Sequence, residues 1–325
     1  MNDTGHTWAL ILAAGEGSRL RSLTTTRAGI AVPKQFCSLR GGLSLLHETL
    51  QRAEAIADRE RICTVVAQQH RRWWERALSS LPRSNVIVQP ENRGTGNGIL
   101  LPLLHILDRD PEARIVLLPS DHHVRDEAVL ARSLERAVAQ LATRNREVLL
   151  LGLEPEEVDP ELGYIVPGDE DGYGVRSVER FVEKPSDALA RSLLGAGALW
   201  NAFIVVARAQ ALLELFSHRF PDVVANMRAV VAHDASNPME PVAARHLYGT
   251  LPEIDFSRHV LQGFESPLRV LAVPPCGWSD LGTPERVART LRRVAVEKVD
   301  FDELPFPLSG HLNLAAQHLL VQTTA

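Results

Sequence analysis

The chain has 325 residues, 45% of them hydrophobic and 23% charged, with a formal net charge of −5. That balance supports a sizeable buried core, in one large or two modest domains, and leaves no basic footprint for nucleic acid. Cys37, Cys63 and Cys276 are odd in number and far apart, reading as reduced thiols of a cytoplasmic protein; the apolar run 8–14 is too short to span a bilayer, and "MNDTGHT" lacks the positive start of a signal peptide.

Taken in chain order, "WALILAA" predicts a buried strand. "SLLHETLQRAEAIA" predicts a helix with Leu45, Leu46, Thr49, Leu50 and Ala53 on one side. "RICTVVA" is a strand, "QHRRWWERALSSL" a helix and "NVIVQ" a strand. "GILLPLLHIL" reads as a helix interrupted or kinked at Pro102. "RIVLLPS", "EAVLARSLERAVAQLA" and "EVLLLGL" continue as strand, helix, strand. This alternation predicts an α/β fold, a Rossmann-like and mainly parallel sheet flanked by helices. In such sheets ligands sit beyond the carboxyl ends of the strands.

After Leu153 the rhythm changes. "LGYIVPGDEDGYGVRSVERFVEKP" predicts strands joined by a turn, as a partly antiparallel extension. Helical patterns follow over 209–216 and 221–232, then "RVLAVP" as a strand and "TPERVARTLRRVAVEK" as a helix. There Thr283 suits the N-cap, Pro284 the first helical position and Glu285 the positive helix end.

Gly15 and Gly17, in "LAAGEGSRL", let the backbone turn tightly and approach a ligand. A P-loop would need a Gly-Lys-Ser/Thr ending that "GEGSRLRS" lacks, and a dinucleotide loop would need a third glycine where Leu20 stands. What fits is "LAAGEGSRL" followed by "PKQF", which resembles the signature of the sugar-1-phosphate nucleotidyltransferases. "PKQF" points among them to the mannose-1-phosphate guanylyltransferases. The resemblance recurs in order to about Val287, in "QPENRGTGNGI", "LLPSDH", "LGYI", "FVEKP", "WNAF", "PEIDFSRHVL" and "GWSDLGTPERV".

The resemblance implies a reaction in which NTP and a sugar 1-phosphate give NDP-sugar and pyrophosphate. GTP, mannose 1-phosphate and the product GDP-mannose are the substrates and product it favours, with Mg²⁺ as cofactor. By the same resemblance, the backbone of Ala13, Ala14, Gly15 and Gly17 holds nucleotide and Arg19 grips the triphosphate. Lys34 faces the α-phosphate, and Asp121 and Asp280 hold the metal, so that Arg19, Lys34, Asp121 and Asp280 form the catalytic set. Asn92, Arg93 and Thr95 lie by the base, although Asn92 replaces a family glycine and Gly94 a family asparagine. Gly163, Tyr164, Glu183, Lys184 and Asn201 take the sugar phosphate, with Glu161 and Leu162 replacing the first half of the family's Gly-Tyr-Gly-Tyr-Ile, and Phe203 standing where a glycine is usual. "TTTRAGIA" reads as an extra loop between Arg19 and Lys34. His122, His123, Trp200 and Trp278 read as packing groups around the site; adjacent histidines on an extended segment point apart, with no further ligand nearby for zinc.

The blander readings are a capping arginine, turn aspartates and a surface Glu-Lys pair worth little; the motif order favours function. Residues 1–299 form one catalytic domain, its nucleotide half ending near 153 and its sugar half running over 154–299, with 300–325 a tail that packs on the domain or on a second subunit. The length implies a monofunctional form, and the family allows a homodimer. The alternatives are another nucleotidyltransferase, such as a uridylyltransferase acting on glucose 1-phosphate, or a non-catalytic regulator that binds a sugar nucleotide.

Overall fold

The computed structural model describes residues 5–236 and 242–295; the tail expected over 300–325 lies outside them. Nine strands form one sheet: β1 (Thr7–Ala13), β2 (Ile62–Ala67), β3 (Val86–Gln89), β4 (Arg114–Pro119), β5 (Val148–Leu153), β6 (Gly163–Glu170), β7 (Val175–Glu183), β8 (Leu199–Arg208) and β9 (Leu268–Val273). Their order is β3-β2-β1-β4-β8-β5-β9-β7-β6. The first four strands pair in parallel, as do β5 and β9. β8 lies antiparallel between β4 and β5, and β6 and β7 extend the sheet in antiparallel fashion. The carboxyl ends of β1, β4, β5 and β9 therefore open on the same edge.

The helices are α1 (Arg21–Thr24), α2 (Leu45–Glu54), α3 (Arg71–Ala77), α4 (Gly94–Arg109), α5 (Glu127–Gln140), α6 (Asp187–Gly195), α7 (Ala209–Arg219), α8 (Pro221–Ser236), α9 (Val242–Tyr248) and α10 (Pro284–Ala295). Ser44, Asp126 and Ser186 cap α2, α5 and α6 by accepting the amides of His47, Val129 and Leu189, satisfying donors that a helix start leaves unpaired. α4 departs from expectation in two ways. It begins at Gly94, and it runs past Pro102 without a break. Leu100, Leu101, Leu103 and Leu104 are all buried around that proline, so packing holds the turn whose amide hydrogen bond Pro102 cannot make.

β1, β2, β4 and β5 are buried almost throughout, as strands covered on both faces must be. Their side chains divide between two cores. Ile11, Leu118, Leu149, Tyr164, Trp200 and Val287 pack on the face carrying α2, α5 and α10. Leu10, Leu117, Leu150, Phe181, Val205 and Phe216 pack on the face carrying α4 and α7. This division separates neighbours along each strand, and it decides below which residues can meet a ligand.

One tertiary clasp shapes the loop that opens α4. Ile254 accepts the Gly96 amide at 2.7 Å and donates its own to Arg93 at 3.1 Å, while Asn97 Nδ2 bridges the Arg93 and Pro252 carbonyls at 2.7 and 2.9 Å. Gly94 has φ +83 and lies against the Ile254 backbone with no room for a Cβ, which explains why asparagine is absent there. Gly94→Ala is expected to lower stability by about 1–3 kcal/mol, read as a lower urea midpoint with an unchanged slope.

Candidate active site

Pro33 leads into a single turn, Lys34–Phe36, that brings Lys34 inside the protein. Its side chain is 6% exposed, and the ammonium meets Asp121 Oδ2 at 2.8 Å. The same nitrogen donates to the carbonyls of Asp280 at 2.6 Å and Leu281 at 3.4 Å. Asp121 follows β4, and Asp280 follows β9 at the approach to α10. Three segments far apart in sequence thus meet on one cation at the carboxyl edge of the sheet. The extra loop does not push Lys34 away: Thr25 bridges Ala31, and the amides of Thr26 and Val32 bond the carbonyls of Ile30 and Thr24, so it closes as a tight turn.

The glycine loop rests on Lys34 and on its neighbour. Gln35, to which sequence reasoning gave no role, is 1% exposed, and its Nε2 donates to the carbonyls of Ala13 and Gly15, both at 3.0 Å. This fixes the backbone that follows β1. Gly17 abuts the Lys34 side chain. Arg19 does not join the Lys34 cluster; its Nη1 bonds Glu161 Oε2 at 2.9 Å, with both side chains about half exposed.

Between the glycine loop and the start of α4 lies a slot of about 90 Å³, lined by Ala14, Gly15, Gln89, Asn92 and Thr95 among others. Asn92 Oδ1 accepts the Gly94 amide at 3.1 Å and Thr95 Oγ1 accepts the Phe256 amide at 2.8 Å. Both side chains therefore shape the slot as well as line it. Arg93 turns aside, pairing with Glu91 at 2.9 Å. Gln89 is a wall residue that sequence reasoning passed over: it is 1% exposed and its Oε1 has no hydrogen-bond partner. Its place just before Pro90 in the "QPENRG" motif was the available signal.

The two aspartates are both anionic at neutral pH. Burial alone would raise Asp121, yet Lys34 and the nearby His122 hold it below the ordinary carboxylate value. Burial likewise opposes ionisation of Asp280, and His122 and Arg286 overcome it. Burial drives His122 itself down to about 4 despite both carboxylates, so at neutral pH the permanent charges of Lys34 and Arg286 do most of the holding. Arg286, which sequence reasoning missed, bonds Asp280 Oδ1 at 2.5 Å and Asp159 Oδ2 at 2.6 Å. Among the described residues no group of three His, Cys, Asp or Glu side chains could hold a metal. Asp121 meets the Lys34 cluster through its carboxylate and Asp280 through its backbone carbonyl, with the Asp280 carboxylate on Arg286; a divalent ion held by these hard-oxygen groups would need phosphate and water for the remainder.

On the sugar side, Gly163 pairs with Glu183 across β6 and β7. A Cβ on Gly163 would fall 2.6 Å from Glu183 Oε2 and 3.3 Å from Asn201 Cβ, so only glycine leaves this polar cluster intact. Asn201 Oδ1 accepts the Phe203 amide at 3.0 Å, and Phe203 has φ +56. A side chain therefore occupies a conformation natural to glycine, and its ring packs edge-on to Phe256 at 6.2 Å. Lys184, at φ +49, turns its ammonium to within 3.8 Å of Glu183 Oε1. Tyr164 requires a correction. One residue past Gly163, it faces the other side of the sheet, is 0% exposed and accepts the Asp159 amide at 2.9 Å. Its side chain belongs to the core, not to a sugar pocket.

With that geometry in place, comparison with known proteins settles the family. The profile of the family described as "Nucleotidyl transferase" matches residues 8–295. The chain belongs to the nucleotidyl transferase family. Among its relatives is the xanthan biosynthesis protein XanB of Xanthomonas campestris pv. campestris, 33% identical over 208 residues, which are 63% of this chain and 43% of that protein. A mannose-1-phosphate guanylyltransferase of Salmonella muenchen is 28% identical over 301 residues, covering 84% of this chain and 57% of the relative. The chain thus spans about half the length of the curated relatives it matches. A solved structure described as mannose-1-phosphate geranyltransferase, from Thermus thermophilus, superposes with a TM-score of 0.73 at 26% identity, covering 88% of this chain and 79% of that one.

Glu183 carries a pH signature. Burial first, and Asp255 second, raise its pKa from 4.5 to about 7, against the pull of Lys184. A raised carboxyl contributes stability that is complete below about 4.5 and lost as pH rises through about 7. Thermal melting from pH 4.5 to 8 should therefore show a decline in the native chain that Glu183→Gln flattens, with the variant relatively more stable at the alkaline end.

Proposed function

We propose that this chain transfers a nucleotidyl group from an NTP, preferentially GTP, to a sugar 1-phosphate, preferentially mannose 1-phosphate. A phosphate oxygen of the sugar 1-phosphate attacks the α-phosphorus of the NTP. The bond from that phosphorus to the bridging oxygen of the β-phosphate breaks, and pyrophosphate leaves with the bonding electrons. The observation that carries the reading is the Lys34 ammonium, held by Asp121 and the Asp280–Leu281 carbonyls beside the glycine loop.

Each residue has a physical task in this reaction. Lys34 is the cation that can neutralise charge growing on the α-phosphoryl oxygens, and it is already in place before substrate arrives. The backbone over 13–17, fixed by Gln35, receives the phosphates. Arg19, whose planar fork suits phosphate oxygens, is held by Glu161 in a half-exposed pair that a polyphosphate can exchange. Asp121 and Asp280 would hold Mg²⁺, which supplies charge neutralisation on the phosphates and a template for their orientation. On the other side of the cleft, Glu183, Asn201 and Lys184 offer acceptors, donors and a cation to a phosphorylated sugar.

Support for guanine comes from the slot. The unpartnered Gln89 Oε1 is an acceptor, and guanine presents two adjacent donors, N1–H and the 2-amino group, on one edge. Uracil presents only one. The guanylyltransferase relative from Salmonella and the Thermus structure with its mannose-1-phosphate description point the same way.

Pyrophosphate release measured across the four NTPs and several sugar 1-phosphates is expected to be fastest with GTP and mannose 1-phosphate. UTP with glucose 1-phosphate winning would change the substrates but keep the reaction. No turnover with any pair would leave only a binding role. Asp121→Ala and Asp280→Ala should each lower kcat by about a hundredfold or more; near-native rates in either would remove that carboxylate from the site.

A further inference from the structure

Arg286 reaches Asp280 from the first turn of α10. It is the third residue of that helix, and Thr283 Oγ1 accepts its amide at 3.3 Å. This cap starts the helix and fixes the backbone from which the side chain leaves. The side chain is 8% exposed, and its fork is divided between carboxylates of two different loops. Nη1 donates to Asp280 Oδ1, past the end of β9, at 2.5 Å; Nη2 meets Asp159 Oδ2, ahead of β6, at 2.6 Å. A lysine ammonium has no rigid pair of donors to span two such partners.

The grip is built at both ends. At the near end, Asp280 Oδ1 also accepts the Gly282 amide at 3.1 Å. A Cβ on Gly282 would collide with Asp280 Oδ2 and with Arg286 Nη1, so glycine is what lets the two side chains meet. At the far end, Asp159 is itself held. The Tyr164 hydroxyl accepts its amide at 2.9 Å, and its Oδ1 accepts the Glu161 amide at 2.9 Å. Tyr164 lies in the core, and from there it anchors the loop on which Arg286 leans.

One oxygen of Asp280 is therefore committed. Among the described residues Oδ2 has no hydrogen bond or ion pair, and the side chain keeps 11% of its surface exposed. Charge indicates what that oxygen suits. Lys34 and Arg286 bring two positive charges to the cluster, and Asp121, Asp159 and Asp280 bring three negative ones. The buried His122 stays neutral at pH 7. One negative charge is left in excess, which favours a cation.

We propose that Arg286 is a positioning residue: clamped to Asp159, it holds Asp280 Oδ1 and so keeps Oδ2 in one fixed direction for the metal. The inference rests on the metal role assigned to Asp280 under the proposed function. Groups that orient a ligating side chain typically carry about ten- to hundredfold of metal affinity or activity. An arginine that only tied α10 to the sheet would affect stability and leave metal dependence untouched.

Titration calorimetry on the full chain, with GTP in one arm and UTP in the other, each in EDTA and in Mg²⁺, gives the factor by which metal tightens nucleotide binding. The native chain is expected to show such a gain with at least one nucleotide. Arg286→Lys, which keeps the charge but not the span, should lose most of the gain, with affinity in EDTA within about twofold and half-saturating Mg²⁺ for turnover raised about tenfold. Asp159→Asn keeps the Arg286–Asp280 contact and should shift the gain the same way by a smaller factor. Thermal melts set the working temperature below the midpoint of the least stable variant. If Arg286→Lys does not fold, Asp159→Asn decides alone, and an unchanged gain counts against the proposal. A full gain in Arg286→Lys overturns it. So does an equal loss in EDTA and in Mg²⁺, or a native chain that Mg²⁺ helps with neither nucleotide. Absence of turnover with every substrate pair overturns the reaction instead, and the binding comparison still decides Arg286.

Discussion

The ammonium of the buried Lys34 side chain is shared by the Asp121 carboxylate and by the carbonyls of Asp280 and Leu281. A cation that deep is costly to strip of water and persists only when its hydrogen bonds are met. Meeting them obliges the turn after Pro33, the end of β4 and the loop after β9 to adopt one mutual arrangement. Gln35, the next residue along, passes the constraint to the Ala13 and Gly15 carbonyls. The glycine loop, both aspartates and the entry to α10 are thus placed by two consecutive side chains of one short motif.

Backbone strain collects around the same cleft. Among the described residues, the three non-glycines with positive φ are Lys184, Phe203 and Leu281, and each borders a group assigned to the site. Such conformations cost on the order of 1–3 kcal/mol and survive only where surroundings enforce them. At Leu281 the turn accompanies two carbonyls facing Lys34. At Phe203 the Asn201 carboxamide captures the amide, and ring packing on Phe256 compensates for the missing glycine.

The strands of the first half were legible because a strand buried on both faces leaves an unbroken apolar run, bounded here by polar turns. β8 escaped because "LWNAFIVVAR" runs directly into the apolar face of α7 with no turn residue between them. α6 carried signals that went unread, Ser186 as cap and Asp187 in the first turn. The aspartates and Lys34 could be singled out from motif order, but their meeting point could not, since it depends on contacts 87 to 247 positions apart in the chain. Tyr164 was misplaced for a simpler reason: a family motif names adjacent residues together, whereas a strand sends them to opposite faces. Gln35, Gln89 and Arg286 lacked any compositional mark, because an amide or arginine gains significance only from what it touches.

Glu161 occupies a position where the family pattern has a small residue, and in the free chain it already satisfies Arg19. In the role proposed for Arg19, an arriving polyphosphate would have to exchange with that carboxylate instead of finding the guanidinium vacant. Dissolved salt weakens the outgoing partnership and the incoming one together. A triphosphate carries more charge than one carboxylate, so salt takes more from the incoming contact than from the outgoing one, and the exchange becomes less favourable as ionic strength rises.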